Sequence, residues 1–179
     1  MKILPTLGTA LLLAITVLAQ EKKPDKLAPY YPTPESVVEK MLKLGELKRG
    51  ERMFDLGSGD GRVVIMAAQK FGANATGVEI DGDLWKQSSA KIRSLGLEKN
   101  ARIIQGNILA QDYSGANVIC VYLLPGSNDK VRPMLEKQLK KGTRIVSHDF
   151  EFAGWKPEKT ETIDDDGEGR SHTLYLYRR

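Results

Sequence analysis

The sequence predicts an α/β fold in which a mostly parallel, seven-stranded sheet carries helices on both faces and ends in an antiparallel hairpin. Short apolar runs alternate with segments of helical periodicity along most of the chain. Repeated strand–helix units imply parallel strands joined by right-handed crossovers. The last two strand-like runs lie on either side of a short turn region around Asp164-Asp165-Asp166-Gly167, which predicts the hairpin. With 179 residues, 41% of them hydrophobic, the chain has room for one domain with a sizeable core.

The first 19 residues have the pattern of a secretory signal peptide. A positive start at Met1-Lys2 precedes an apolar run from Ala10 to Leu18, and the small Ala19 lies just before a cut ahead of Gln20. The apolar run is shorter than the roughly 20 residues of a membrane-spanning helix, and an uncleaved anchor is the alternative interpretation. We therefore expect an exported, periplasmic protein with no stable membrane insertion once the signal is removed.

The rest of the chain divides into an extended arm at 20–33, which is polar and rich in proline, and a folded domain at 34–179. Thr33-Pro34 has the pattern of a helix N-cap followed by proline at the first helical position. The predicted helices span about 34–46, 61–71, 83–95 and 127–141, the last with Gly142 as its C′ residue. The predicted strands span about 51–56, 75–80, 101–105, 117–123, 143–148, 159–165 and 172–178.

The most informative motif is an apolar strand that leads directly into three alternating glycines, Gly57, Gly59 and Gly61. Glycine lets the backbone turn tightly and approach a ligand where a Cβ would collide. The helix that begins near Arg62 points its N-terminal amides at the same place. Glu79, at the end of the next predicted strand, is placed to accept hydrogen bonds from ribose hydroxyls. Together these features predict a pocket for a nucleotide-type cofactor.

The spacing of the glycines distinguishes between cofactors. A dinucleotide fingerprint, G-x-G-x-x-G, needs its third glycine at position 62, which is Arg62. The observed G-x-G-x-G, with Asp55 two residues before the first glycine, resembles motif I of the class I, Rossmann-like S-adenosylmethionine (SAM) methyltransferases. The resemblance implies SAM as the cofactor. It also implies that Asp55 orders the glycine loop through backbone amides near the methionine end, and that Asn107 lies against the adenine. A simple turn cap is the alternative role for Asn107.

The expected reaction narrows the choice of catalytic residues. A sulfonium methyl group is already activated, so the enzyme mainly aligns a nucleophile and excludes water. A lysine acceptor must first lose a proton, because its ordinary pKa is about 10.4. The candidates at the expected active face are Tyr122, His148, Asp149 and Glu151, and we select the first three as catalytic. A surface or capping histidine is the alternative interpretation of His148.

Four motifs in order resemble a narrower family. They are Tyr31-Pro32-Thr33-Pro34, Asp55-Leu56-Gly57-Ser58-Gly59-Asp60-Gly61-Arg62, Tyr122-Leu123-Leu124-Pro125, and Ser147-His148-Asp149-Phe150 followed by Gly154-Trp155. Over about residues 30–156 they are similar to the small seven-β-strand protein lysine methyltransferases of the archaeal broad-specificity type. That group includes mitochondrial enzymes acting on the adenine nucleotide translocase and the ATP synthase c-subunit, and it is distantly related to Dot1.

This resemblance implies roles for two segments. Residues 31–35, with Thr33 as a cofactor contact, are expected to fold over SAM, and Tyr122 is expected to contact SAM and line the access path for a lysine. The end of the fourth strand lacks the Asn/Asp-Pro-Pro-Tyr/Phe sequence of enzymes that methylate adenine or glutamine. A small-molecule methyltransferase and an exported, non-catalytic SAM-binding protein are the alternative functions.

Composition sets the remaining expectations. The net charge of +4 comes from scattered basic pairs, which favours a solvated surface over a nucleic-acid patch. The single Cys120 excludes an internal disulfide and a multi-cysteine metal site, and it lies in an apolar run where a buried thiol is expected. We therefore predict a monomer that acts on a protein substrate, with no nucleic acid and no bound metal.

Overall fold

The computed structural model describes residues 26–179. Within this range the chain forms the predicted succession of strands and helices. The helices are α1 (Glu35–Leu44), α2 (Arg62–Phe71), α3 (Gly82–Ser94) and α4 (Pro125–Gln138), with a 3₁₀ turn at Ile108–Ala110. The strands are β1 (Arg52–Leu56), β2 (Asn74–Glu79), β3 (Ala101–Gln105), β4 (Val118–Val121), β5 (Arg144–His148), β6 (Lys159–Ile163) and β7 (His172–Arg178). The predicted signal peptide at 1–19 and the first part of the arm lie outside the described residues.

The seven strands form one sheet in the order β3-β2-β1-β4-β5-β7-β6. The first five strands are parallel, whereas β7 pairs antiparallel with both β5 and β6. This confirms the predicted fold, including the C-terminal hairpin. The strand order reverses between β1 and β4, and open α/β sheets bind ligands outside the carboxyl ends of strands at such a point.

Alternate residues of each central strand pack into the two faces of the sheet. In β1 and β4, Met53 and Cys120 lie in a core shared with α1 and α2, whereas Leu56 and Ile119 lie in a second core beneath α4. All four side chains are fully buried, which fits near-continuous apolar strands covered on both sides. Cys120 is therefore the buried free thiol that its apolar surroundings predict.

Two predicted helix ends are wrong, and each has a local cause. The last helix begins at Pro125 and ends at Gln138, because Leu139 takes an extended conformation (φ −76°, ψ 139°). Gly142 is thus no C′ residue and lies in the turn before β5 with φ 89°. At α1 the N-cap position is Pro34 rather than Thr33, since the Thr33 hydroxyl contacts a histidine elsewhere. Within residues 26–179, every helix is too short or too polar to cross a bilayer.

Candidate active site

A cavity lies at the carboxyl ends of β1, β2 and β4, where the strand order reverses. Its floor is the loop between β1 and α2, its sides are the ends of β2 and β4, and the arm covers it. The wall includes seven of the residues predicted from the sequence: Thr33, Asp55, Gly57, Gly59, Glu79, Asn107 and Tyr122. His148 and Asp149 lie behind Tyr122 and away from the cavity surface. The sheet topology thus brings residues from separate sequence motifs together at one cavity.

The glycine loop is held against β2 by hydrogen bonds and against the arm by close packing. The Gly57 and Ser58 amides both donate to the Val78 carbonyl at 3.0 Å. A Cβ on Gly59, whose φ is 53°, would lie 2.6 Å from the Tyr30 ring, so a side chain there would be strained and would have to displace that ring. Gly61 has a different role, because it does not line the cavity and packs against Ser88 of α3.

Glu79 is buried at the tip of β2 and is fixed by two backbone amides. Its Oε2 accepts from Gly59 N at 2.7 Å, and its Oε1 accepts from Asp81 N at 2.8 Å. This corrects the role expected of Asp55, because Glu79 is the carboxylate that orders the glycine loop. Each Glu79 oxygen keeps acceptor capacity beyond these bonds, and the side chain borders the cavity.

Asp55 is a buried carboxyl group that faces the cavity without a donor. Among residues 26–179, no group donates a hydrogen bond to its side chain. Burial, followed by the negative charges of Glu79 and Asp60, raises the pKa of Asp55 to about 8. A carboxylate in this position is stabilised by a cation, and the α-ammonium of SAM is such a group.

Asn107 follows β3 and caps the 3₁₀ turn, since its Oδ1 accepts from Leu109 N at 2.9 Å. The same side chain borders the cavity. The two roles considered for Asn107, a turn cap and a contact with adenine, are therefore compatible in one conformation. The cap orients the amide, and the expected contact with adenine remains a prediction.

Arg62 connects the glycine loop to the arm, a role that was not predicted from the sequence. Its guanidinium pairs with Asp60 at 2.7 Å and donates to the Thr33 carbonyl at 2.9 Å. Farther along the arm, Lys26 pairs with Asp81 at 2.6 Å. The residue that rules out a dinucleotide fingerprint thus fastens the arm over the cavity. In the sequence, the acidic Asp60 two residues before Arg62 was the feature that could have predicted this ion pair.

Tyr122 lines the cavity wall next to the arm, and Asp149 lies behind it. The Tyr122 hydroxyl donates to Asp149 Oδ2 at 3.3 Å. Burial, followed by the charge and hydrogen bond of Asp149, raises the pKa of Tyr122 to about 12. Tyr122 is therefore a neutral hydroxyl at physiological pH and not a base. Asp149 has a left-handed φ of 58°, and its Oδ1 accepts from Thr173 N at 2.9 Å.

His148 is completely buried, so the interpretation of it as a surface histidine is wrong. Its ring lies 3.9 Å from the Tyr122 ring, its Nδ1 lies 3.1 Å from Thr33 Oγ1, and its Nε2 lies 2.9 Å from His172 Nδ1. Burial lowers the pKa of His148 to about 4, against the raising effect of Asp149. His148 thus supports the Tyr122 ring from behind.

The hairpin contributes three residues that were not identified from the sequence. His172 Nε2 lies 3.2 Å from Asp166 Oδ2, and Arg170 pairs with the same carboxylate at 3.2 Å. Burial disfavours the charged form of Asp166, but the hydrogen bonds from Glu168 N, His172 and Arg170 hold the pKa of Asp166 well below its usual range. Arg170 also donates to the Tyr31 hydroxyl of the arm. Glu151, by contrast, is exposed and outside this cluster.

The sheet order and the cavity, with its glycine loop and two acids, define a class I SAM-dependent methyltransferase. The family model of the ANTKMT methyltransferase domain matches residues 55–159, more than half of the chain, and the chain belongs to this family. These findings confirm the predicted fold, cofactor and enzyme class. The cavity residues also fit SAM, since the buried Asp55 carboxyl borders the cavity with no donor among residues 26–179 and Gly59 presents no side chain to it.

Named relatives agree with this assignment. A protein-lysine N-methyltransferase of Saccharolobus islandicus is 42% identical over 83% of this chain and 92% of its own length. The lysine N-methyltransferase of the ATP synthase c-subunit from Rattus norvegicus is 30% identical over 76% of this chain, which spans 63% of that protein. The structure of an RNA methyltransferase from Salinibacter ruber with S-adenosyl-L-homocysteine has a TM-score of 0.76 and 41% identity, covering 83% of this chain and 93% of that one.

Proposed function

We propose that this methyltransferase transfers the methyl group of SAM to the ε-amine of lysine residues in a protein substrate. The observation that carries the proposal is the 42% identity, over most of both chains, to a protein-lysine N-methyltransferase. The structure adds a chemical reason, because Tyr122 lines the cofactor cavity and its hydroxyl is held from behind by Asp149.

The cavity residues have separate roles in this proposal. Asp55 would hold the α-ammonium of SAM, Glu79 would accept hydrogen bonds from its ribose hydroxyls, and the glycine loop would bind the part of the cofactor between these groups. Thr33, Asn107 and Tyr122 complete the predicted set of cofactor contacts. When bound, SAM supplies an electrophilic methyl group on sulfur, so these residues need only bind and orient it.

The acceptor amine must arrive at the methyl group without its proton. Tyr122 keeps its own proton because its pKa is about 12, so its hydroxyl donates to Asp149 and its oxygen accepts a hydrogen bond from the amine. The amine's proton leaves to solvent before transfer, and Asp149, whose side chain is about one-quarter exposed, fixes the Tyr122 hydroxyl by accepting its hydrogen bond. His148 positions the Tyr122 ring by stacking.

A second acceptor class is RNA, because the Salinibacter ruber structure is of an RNA methyltransferase. Scattered basic pairs and the absence of the adenine-type motif after β4 favour protein over RNA. A small-molecule acceptor and a non-catalytic binding protein are the remaining alternatives. Following the methyl group distinguishes all four functions: methylation of protein lysine, of RNA or of a small molecule, and cofactor binding without transfer.

The test is to incubate the purified protein and radiolabelled SAM with three pools: cell protein, total RNA and a small-molecule extract. We expect label in protein, recovered as methyllysine after acid hydrolysis. Tyr122→Phe should lower the rate at least tenfold, whereas Glu151→Gln, a neighbouring exposed acid, should act as wild type. Label confined to RNA or small molecules would replace the lysine assignment. Saturable cofactor binding without any transfer would support the non-catalytic alternative.

We also propose that the mature protein acts outside the cytoplasm, on the basis of the signal-like residues 1–19. Its acceptors are then exported or membrane-anchored proteins. SAM is made inside cells, so this location requires either a supply of cofactor or action on substrates before export is complete.

A further inference from the structure

Three side-chain atoms from two strands converge behind Tyr122. His148 Nε2 lies 2.9 Å from His172 Nδ1, His172 Nδ1 lies 3.2 Å from Asp149 Oδ2, and the third separation is 3.3 Å. Ligand atoms held about 2.0–2.2 Å from a metal ion lie roughly 3.0–3.5 Å from one another. We propose that His148, Asp149 and His172 bind a divalent transition-metal ion, with Zn²⁺ as the representative case.

The number of hydrogens at this junction supports a cation. His172 Nε2 faces the Asp166 carboxylate at 3.2 Å, and the tautomer with its hydrogen on that nitrogen presents a lone pair at Nδ1. Asp149 Oδ2 brings lone pairs, one of which accepts the Tyr122 hydroxyl at 3.3 Å. In this tautomer His148 Nε2 has at most one hydrogen for the lone pairs of its two close neighbours, whereas one metal ion accepts a lone pair from each of the three atoms.

The surroundings have the form of an outer coordination shell. Metal-binding histidines usually direct their second nitrogen to a carboxylate or another polar group, which fixes the ring. Here the fully buried Asp166 side chain lies behind His172, and Thr33 Oγ1 lies 3.1 Å behind His148 Nδ1. Thr173 N holds the other oxygen of Asp149 at 2.9 Å. All three proposed ligands are therefore oriented by a partner that is not itself a ligand.

The backbone at Asp149 directs its carboxylate towards the two imidazoles. Its φ of 58° lies in the left-handed region, which aspartate adopts more readily than most residues other than glycine. In this conformation the carboxylate comes within 3.3 Å of both imidazoles. Its partial exposure provides a route for an ion, because both histidines are buried.

The donor set indicates the type of metal. Two imidazole nitrogens and one carboxylate oxygen favour Zn²⁺, Co²⁺, Ni²⁺ or Fe²⁺ over the oxygen-preferring Mg²⁺ and Ca²⁺. The ion joins the end of β5 to the start of β7 and underlies Tyr122, so its main effect is to position this wall of the active site. The three residues were not predicted as metal ligands from the sequence, since they have none of the familiar spacings.

The test is metal binding by the tag-free full chain, stripped with a chelator and then titrated with Zn²⁺ in a calorimeter. We expect one ion per chain. His172→Gln and Asp149→Asn should each weaken affinity by at least 100-fold, and Asp166→Asn by about 10- to 100-fold as an outer-shell change. Glu151→Gln, an exposed acid two residues from Asp149, is the matched control and should bind as wild type. Titration with Co²⁺ should give visible absorption bands that are lost in His172→Gln.

Wild-type protein that binds no stoichiometric Zn²⁺ at millimolar concentration would overturn the proposal and leave a shared proton at the junction. Equal affinity of His172→Gln and wild type would also overturn it. Binding of S-adenosyl-L-homocysteine by each variant reports folding. Because no acceptor is present, the result is independent of whether lysine is the methylated group.

Discussion

At the scale of single residues, Asp55 is subject to two opposing requirements. Without cofactor it is a buried acid beside Glu79 and Asp60, and its pKa is about 8. With SAM bound, the same position favours the carboxylate because a cation is present. The residue therefore destabilises the empty protein at high pH and contributes to binding, which is common where function and stability compete.

The sign of this effect on stability can be tested. An unfolded Asp ionises near pH 3.9, so between about pH 4 and 8 the folded state holds a proton that the unfolded state has lost. The free energy of unfolding must then fall as pH rises, by up to about 1.4 kcal/mol per pH unit. We expect Asp55→Asn, which is uncharged throughout, to become progressively more stable than wild type between pH 6 and 8 while binding SAM more weakly.

The measurement is urea unfolding of both proteins without cofactor at several pH values. Groups common to the two proteins cancel in the difference, which isolates Asp55. If the free energy of unfolding changes with pH by the same amount in both proteins, Asp55 is already ionised in the empty cavity. The difference should shrink when saturating S-adenosyl-L-homocysteine is added, because the bound ammonium favours the wild-type carboxylate.

At the scale of elements, the arm and the glycine loop depend on each other. Tyr30 lies over Gly59, and Arg62 at the start of α2 holds the Thr33 carbonyl. These contacts hold the arm across the cavity, opposite the glycine loop that forms its floor. A side chain added at Gly59 should displace the arm before it affects the sheet.

We expect Gly59→Ala to weaken binding of S-adenosyl-L-homocysteine by at least tenfold, measured by calorimetry. The matched control is Gly50→Ala, because Gly50 has a similarly positive φ of 79° but no atom within 4 Å of the place where a Cβ would lie. Both changes incur backbone strain of about 1–2 kcal/mol, which thermal unfolding reports. Only Gly59→Ala also collides with Tyr30. Equal affinity of the two variants would show that the arm does not close the cavity.

Elements and local motifs were largely predictable, whereas contacts between distant elements were not. The glycine loop is a continuous run whose spacing reflects local backbone geometry, so Gly57, Gly59 and Glu79 could be placed from the sequence. His172 reaches His148 only because β7 pairs antiparallel with β5 in one register, with His148 opposite Leu174. Nothing within either strand specifies that register. The helix N-cap role predicted for Thr33 was wrong for the same reason, because its hydroxyl contacts His148, which lies 115 residues away.

At the scale of the whole molecule, the proposed export can be compared with the position of the arm. A cut between Ala19 and Gln20 leaves Lys26, which pairs with Asp81, in the mature chain. Among the residues that the structure describes, the contacts that close the cavity lie at or after Lys26 and so belong to the mature chain. Processing and cofactor binding are structurally compatible.

This compatibility leads to a prediction about the chain in cells. We expect the extracytoplasmic fraction to contain a protein whose N-terminus is Gln20, identified by mass spectrometry of the intact chain. Ala19→Arg should block the cut and leave the protein attached to the membrane fraction, because the −1 position requires a small residue. A chain produced from Gln20 onward should bind S-adenosyl-L-homocysteine as tightly as the full-length chain, since both retain Lys26, Tyr30 and Thr33. Recovery of uncut protein in the cytosol alone would remove the basis for export, and with it the need for a cofactor supply outside the cell.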